Sequence, residues 1–434
     1  MKDRRFIEET FPVKEVSAES AREKSIRHGH ISTLHIWWAR RPLASSRSTS
    51  YAALIPAPCD ATESSRLRDF VVNLSKWENS LNQKLIEQAR EDISQANRGR
   101  PPRILDPFAG GGAIPLEALR LGCEVYSSDS NPVAVLIQKC TLEYPQKYKK
   151  ARKDEAKWAE MRGSASKNLL LDDVEKWGNW VLADSKNEIS QFYPTGPDGS
   201  IPVGYIWART VPCQNPSCAS QIALMQQYWL ANKQKRKISV LPIVQGKDVS
   251  FKIVGDGYTP MPAAFQPKQG TVSKAIAVCL ICGSSVDGKT MRKLSHTDQI
   301  GERMIAVVSR RPGKAGKSYR VANRSDESVF AKAEISLGKK AEKLREKWGI
   351  EPVPDEPIEK SRPSPNARGL SSVTRYSIEK WSDLFNARQK LVLITLVERI
   401  RQAYQLMLQE GYEDEYAKAV VSYLAIALDR LANQ

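Results

Sequence analysis

Asp106-Pro107-Phe108-Ala109-Gly110-Gly111-Gly112 lies between a short apolar run, Ile104 and Leu105, and a helical pattern from Ala113 to Leu121. A glycine run at such a junction lets the backbone turn sharply and approach a ligand that a Cβ would hold away, while the helix behind it offers free N–H groups. A second strand, Glu124 to Ser128, and a further helix from Pro132 complete a β-turn-α-β succession. That is the opening of a doubly wound α/β sheet. Asp129, at the end of the second strand, stands 17 positions beyond Gly112, the usual place for a carboxylate that accepts hydrogen bonds from ribose hydroxyls. Turn and acid together describe a site for an adenosine-containing cofactor. A dinucleotide fingerprint fits less well, because Gly-x-Gly-x-x-Gly is absent, and no Gly-Lys-Ser/Thr follows to make a phosphate loop.

Upstream, the first hundred residues read as mostly helical and end in a long polar helix, Trp77 to Ala96, closed by the breaker run Asn97 to Pro102. Downstream, from about Tyr193 to His296, helical periodicity gives way to strands, prolines and cysteines, the signature of a small inserted domain. A basic stretch follows, with a helix expected over Ala331 to Trp348, then the Pro-rich segment Glu351 to Gly369, expected to be extended. Two amphipathic helices close the chain, Asn386 to Gln409 and Glu413 to Leu431, hinged at Gly411. Leu393, Leu396, Val397, Ile400, Tyr404 and Met407 recur at helical spacing and read as a core stripe. The expected organisation is a helical region over 1–100, a cofactor-binding segment over 101–192, an insertion over 193–300, a connecting region over 301–370 and a helical region over 371–434.

Of the seven cysteines, four form two close pairs, Cys213-x4-Cys218 and Cys279-x2-Cys282-Gly283. Two such pairs can supply four thiolates to a tetrahedral zinc ion, and the glycine suits the tight turn of a zinc knuckle. Sixty residues (219 to 278) separate the pairs, which indicates a zinc ribbon with an insertion rather than a compact finger. Cys59, Cys123 and Cys140 read as buried small hydrophobes. No stretch approaches 18 apolar residues, and charges occupy the start, Met1 to Glu15, where a signal peptide needs an apolar run; a cytoplasmic location is expected.

Lys and Arg number 66 against 49 Asp and Glu, a net charge of +17 that favours a polyanionic partner. Basic residues cluster at Lys147 to Lys153, with Lys149 and Lys150 at its centre, at Lys233 to Lys237, with Lys235 and Arg236, and along Arg303 to Lys347. Arg27 to Pro42 gathers three histidines, His28, His30 and His35, two tryptophans and the pair Arg40 and Arg41. The histidines could be metal ligands, but no carboxylate or cysteine lies beside them. Stacking by the rings and phosphate or carboxylate pairing by the arginines is a second reading, and a helix whose tryptophans pack on the core is a third. With DNA as the leading partner, the candidate contacts are Arg40, Arg41, Lys149, Lys150, Lys235 and Arg236.

The glycine turn is similar to motif I of the DNA amino-methyltransferases, and Ser128-Asp129-Ser130-Asn131-Pro132 resembles their motif II. The stretch His28 to Arg47 resembles the amino-terminal domain of unknown function 1156, found in adenine-specific DNA methylases that contain a zinc ribbon. Val203 to Cys213 and Trp381 to Gln389 look like later landmarks of the same family. The resemblance implies a partial Rossmann-like methyltransferase sheet with a zinc-ribbon insertion and helical regions at both ends. It further implies S-adenosyl-L-methionine as cofactor, with Asp106 and the Phe108, Ala109, Gly110, Gly111 and Gly112 backbone at the methionine end. The same resemblance implies that Asp129, with Asn131 nearby, holds the ribose.

Amino-methylation in that family needs an (Asp/Asn/Ser)-Pro-Pro-(Tyr/Phe) turn to orient the target amine and stack on the flipped base. The single Pro-Pro pair here, Pro101-Pro102, is flanked by Arg100 and Arg103, which cannot play those parts. No catalytic residue is therefore assigned. The expectation is the amino-terminal piece of a split, truncated or frameshifted DNA adenine-N6 methyltransferase, active only with its missing carboxy-terminal part, for example a separately encoded half; a non-catalytic nucleic-acid-binding subunit and an RNA amino-methyltransferase fragment are the alternatives.

Overall fold

The computed structural model describes residues 4–26, 29–148, 168–360 and 370–433. Lys149, Lys150, Arg152, Lys153 and His28 lie outside them. Helix and sheet are mixed, and the chain divides into two units, Met1–Asp184 with Leu396–Gln434, and Ser185–Thr395.

In the first unit, helices α1 (Val13–Glu23), α2 (Leu43–Leu54), α3 (Ala61–Ser75) and α4 (Gln83–Ala96) precede the strands. The polar helix expected over Trp77 to Ala96 is in fact a 3-10 turn, Trp77–Asn79, followed by α4. The break is local chemistry. The Asn82 side chain accepts from Leu85 N–H and starts a new helix, as Asp60 does for α3 through Glu63 N–H.

Strands β1 (Arg103–Asp106) and β2 (Glu124–Ser127) pair in parallel, Ile104 opposite Val125, and α5 (Ala113–Arg120) connects them. One face of this pair is half-buried. Ile104 and Val125 pack on a core of Phe6, Tyr51, Val71, Leu74, Ile93 and Leu121, where each fully buried large side chain contributes about 1.5–3 kcal/mol. The boundary expected at residue 100 thus separates no cores: the amino-terminal helices and the β-α-β segment bury their apolar faces together. On the opposite face Leu105 is 70% exposed and Tyr126 52%.

A buried ion pair fastens the same layers. Arg47 of α2 faces Glu117 of α5 at 3.3 Å, both side chains at most 1% exposed, and its Nε donates to the Leu74 carbonyl at 2.7 Å. Burial pushes the Glu117 carboxyl up, while Arg47 and Arg120 act against that shift.

After β2, α6 (Pro132–Gln138) runs through a π turn, Lys139–Glu143, into α7 (Tyr144–Lys147). Asp173, on the helix Leu169–Ile189, accepts from the hydroxyls of Tyr412 and Tyr416, and Tyr423 donates to the Cys140 carbonyl. The closing helices, Ala387–Gln409 and Asp414–Ala432, meet at Gly411, whose φ of 84° is left-handed. Cys123 and Cys140 are buried, but Cys59 is exposed on the loop before α3.

Among its described residues the second unit holds three antiparallel sheets. β3 (Ile201–Pro212), β4 (Gln221–Ala223), β11 (Gly301–Arg310) and β12 (Ser318–Val321) form one, in the order β12-β11-β3-β4. β5 (Trp229–Lys233), β6 (Arg236–Gln245) and β7 (Asp248–Gly255) form the second, and β8 (Val272–Ser273), β9 (Ile276–Val278) and β10 (Ser285–Val286) the third. Residues 301–321, read from sequence as part of a connecting region, are therefore strands of the β3 sheet. Met304 to Val308 of β11 are buried there, and a continuous apolar run flanked by basic residues is what a central strand looks like.

The helix expected from Ala331 begins at Arg324, because Asn323 and Asp326 form a reciprocal cap, and ends at Gly349, with φ 68°. In the Pro-rich segment the described residues 351–360 are anchored, Ile358 N–H donating to the Glu379 carbonyl at 2.7 Å. Arg388 is buried, 3.8 Å from the Tyr205 ring centre, and donates to the Phe192 carbonyl. Among the described residues no helix is long and apolar enough to cross a membrane.

Candidate functional site

The end of β1 and the end of β2 bring the glycine turn and Asp129 together. Asp129 accepts from Gly110 N–H at 2.8 Å and from Asn131 N–H at 2.9 Å, one bond to each carboxylate oxygen. Asp106 accepts from Phe108 N–H at 3.2 Å. Gln138 of α6, which sequence reading did not single out, donates to the Gly110 carbonyl at 3.0 Å. The turn is thus held from both sides, and Gly110 and Gly112 take the left-handed φ of 52° and 76° that side chains disfavour.

Above the turn lies a cavity of about 420 Å³, within the range of small-molecule sites. Asp106, Phe108, Ala109, Gly110, Gly111 and Asp129 line it. Gly112 and Asn131, expected at the cofactor, do not. Gly112 packs against Gln138 and Leu142 at the start of α5, and the Asn131 side chain accepts from Val133 N–H as the cap of α6. Both residues shape the site from behind.

The other wall comes from residues 30–43. His30, His35, Trp37, Arg40 and Arg41 line the same cavity, so the two arginines, expected on nucleic acid, stand beside the glycine turn. Trp37 is buried against that turn: a Cβ on Gly110 would lie 2.7 Å from its Nε1, and one on Gly111 would lie 3.2 Å from its Cβ. The exposed Trp38 ring stacks on it at 4.1 Å. Part of the reason for the glycines is therefore a tryptophan of the protein itself.

A buried carboxylate fixes this wall. Glu23 accepts from Leu43 and Ala44 N–H at 2.9 and 2.7 Å, capping α2, and pairs with His30 Nε2 at 2.7 Å. Burial alone would raise the Glu23 carboxyl; the bonds from His30, Ala44 and Leu43 outweigh it and hold the group below its ordinary value. His30 also stacks on Trp77 at 5.1 Å, and His35 Nδ1 lies 2.6 Å from Asp429. These histidines are tied into the scaffold.

In the second unit the four paired cysteines converge. Cys213 and Cys218 sit in the turn between β3 and β4, and Cys279 and Cys282 in the turn between β9 and β10. Their sulfurs all lie within 4.8 Å of one another, with Cys213–Cys282 at 3.5 Å and Cys218–Cys279 at 3.8 Å. Four thiolates around a tetrahedral zinc at about 2.3 Å would be separated by about 3.8 Å, so the set fits a metal ion. Gly283 takes φ 73° in the second knuckle. The Ser284 hydroxyl and N–H draw the Cys282 thiol down to about 6, whereas burial pushes Cys213 up to about 12. The sixty intervening residues contain the β5-β6-β7 sheet.

Of the remaining candidates, Lys235 is exposed at the tip of the β5–β6 hairpin. Arg236 is committed to structure, donating to the Lys317 carbonyl. Part of the basic stretch from Arg303 onward is likewise engaged: Arg303 with the Val249 carbonyl, Arg311 with Asp198, Arg320 with Asp326 and Lys340 with Glu188.

A family model described as "Protein of unknown function (DUF1156)" matches residues 10–84, from just before α1 to the start of α4. No curated protein and no solved structure matches the chain.

Proposed function

We propose that the cavity over the glycine turn binds S-adenosyl-L-methionine and that the chain is the cofactor- and DNA-binding part of an adenine-N6 DNA methyltransferase. The observation that carries this reading is the meeting of Asp106, the Phe108–Gly111 backbone and Asp129 around one cavity, at the ends of two parallel strands. On it, β1-α5-β2 is the opening of a partial Rossmann-like methyltransferase sheet. Asp129, whose oxygens each carry one backbone bond, keeps lone pairs for ribose hydroxyls. The cofactor supplies an activated methyl group; the protein's residues bind and orient it.

Transfer needs more than a bound cofactor. The amine of adenine is a poor nucleophile, and the sequence lacks the turn that would position it. We assign methyl transfer to this chain only together with a partner that carries an (Asp/Asn/Ser)-Pro-Pro-(Tyr/Phe) turn. The net charge of +17 and the exposed Lys233, Lys235 and Lys237 support DNA contact through phosphates. The cysteine cluster supports a structural zinc in a ribbon-like pair of knuckles, since four thiolates leave no open position for chemistry.

Isothermal titration tests the central claim. Saturable heat with S-adenosylmethionine, weakened by Asp106→Ala, is the expected result; folded protein that gives no heat sinks it. Tritiated cofactor and mixed duplex DNA test the rest, with no label expected in DNA from the chain alone. Label in RNA but not DNA upon adding a methylase half would move the assignment to RNA.

A further inference from the structure

The cavity has charge of both signs, and the signs come from different parts of the chain. Asp106 and Asp129 stand at the strand ends, whereas Arg40 and Arg41 belong to residues 10–84, the part matched by the family model. Arg41 is exposed and makes no hydrogen bond or ion pair among the described residues. A guanidinium left without a partner at the edge of a ligand-sized cavity is suited to a planar anion, above all a carboxylate, which it can grip with two parallel bonds.

The segment bearing it is held at both ends. On one side Trp37 is seated on Gly110 and Gly111. On the other, Glu23 caps α2 at Leu43 and Ala44, two and three residues after Arg41, and the buried Arg47–Glu117 pair locks α2 to α5 directly behind the turn. The backbone that carries Arg40 and Arg41 is thereby tied to the turn that follows Asp106, which leaves the Arg41 guanidinium within the cavity wall and open to a ligand.

We infer that Arg41 binds the carboxylate of an amino-acid-bearing adenosyl ligand, so that residues 30–43, inside the part matched by the family model, serve as a ligand-recognition wall of the cavity. This rests on the reading of the cavity as a cofactor site. It divides the ligand in two: the strand-end aspartates take the hydroxyl- and ammonium-bearing parts, and the arginine takes the anionic end.

The test compares S-adenosylmethionine with its decarboxylated analogue, which keeps adenosine, sulfonium and amine but has no carboxylate. Both are titrated into the full chain, wild type and Arg41→Gln. Wild type should prefer the carboxylate-bearing ligand by roughly 10- to 100-fold, the range of a hydrogen-bonded charged contact. Arg41→Gln should abolish the preference by weakening only that ligand, with an unchanged melting temperature, and Arg41→Lys should restore part of it. Equal affinity of wild type for both ligands, or equal weakening of both by Arg41→Gln, would overturn the carboxylate assignment and leave the cofactor reading standing. Failure of wild type to bind either ligand would remove the cofactor reading, and this inference with it. Loss of duplex DNA binding in Arg41→Gln with unaltered cofactor affinity would show that the arginine serves phosphate, and would equally overturn the inference.

Discussion

Trp37 Nε1 occupies the space where a side chain on Gly110 would begin, 2.7 Å from the position of its Cβ. The ring and the turn are thus complementary surfaces of one protein, drawn from positions 73 residues apart. Gly110→Ala meets that ring and also a φ of 52°, a conformation that costs a non-glycine residue about 1–3 kcal/mol. We expect the variant to be destabilised by at least that amount in urea denaturation. In a Trp37→Ala background the cost of Gly110→Ala should fall to the backbone part alone, and a double-mutant cycle with no coupling would refute the contact.

Glu117 is buried with Arg47 and Arg120 around it. Removing one partner of a buried pair costs up to about 3–5 kcal/mol, and Arg120, 2.8 Å from Glu117, remains to offset part of that cost. Arg47→Met should therefore unfold the first unit at markedly lower denaturant. Arg47→Met combined with Glu117→Leu should cost less than the sum of the single changes; strict additivity would argue against the pair.

The Glu23 carboxyl gives a pH signature. Its folded value lies below the ordinary 4.5, so its contribution to stability is complete above that pH and is lost as pH falls through the folded value. Wild type should lose stability below about pH 4.5 more steeply than Glu23→Gln. Parallel acid-unfolding curves for the two proteins would contradict the assignment.

The cysteine cluster should hold about one zinc per chain. Elemental analysis of protein prepared without chelator measures it directly, and Cys279→Ser with Cys282→Ser should remove the metal. Because Cys213, Cys218 and Cys279 also belong to an apolar core with Val211, Ile222 and Met291, chelation should raise hydrogen exchange around both knuckles. Metal-free protein with unaltered exchange there would show that packing alone holds the cluster.

Binding to duplex DNA should be largely independent of sequence and should weaken steeply with salt, the slope reporting the number of phosphates neutralised. Lys233→Glu together with Lys235→Glu should reduce that slope. Binding that ignores ionic strength would remove the electrostatic basis of the DNA proposal.

The strand–turn–helix around Asp106 was legible because its signals are local: an apolar pair, a glycine run, a helical period and an acid at the next strand end. The cysteine cluster was legible for a similar reason, since each pair marks its own hairpin turn. The second wall of the cavity was not. Nothing near Trp37 or Arg41 in the chain announces Gly110, and the Glu23 cap on α2 and the Arg47–Glu117 pair join elements that only packing brings together. Charge also misled in one direction, because a basic run is the same whether its members meet solvent, like Lys235, or carbonyls and acids, like Arg236 and Arg320. The end of the inserted domain was missed because β11 finds its partner in β3, far back in the chain.

That pairing sets an order of events during synthesis. β3 is complete at Pro212, but its neighbour β11 begins only at Gly301. At about 5–20 residues per second the ribosome leaves β3 waiting roughly 5–20 s for its partner. Over that interval the nascent chain can close the β3–β4 and β5–β6–β7 hairpins, whose contacts are local, but not the central β3–β11 ladder. The strand edge that later becomes the middle of a sheet is the one that must be kept from strangers while the chain emerges.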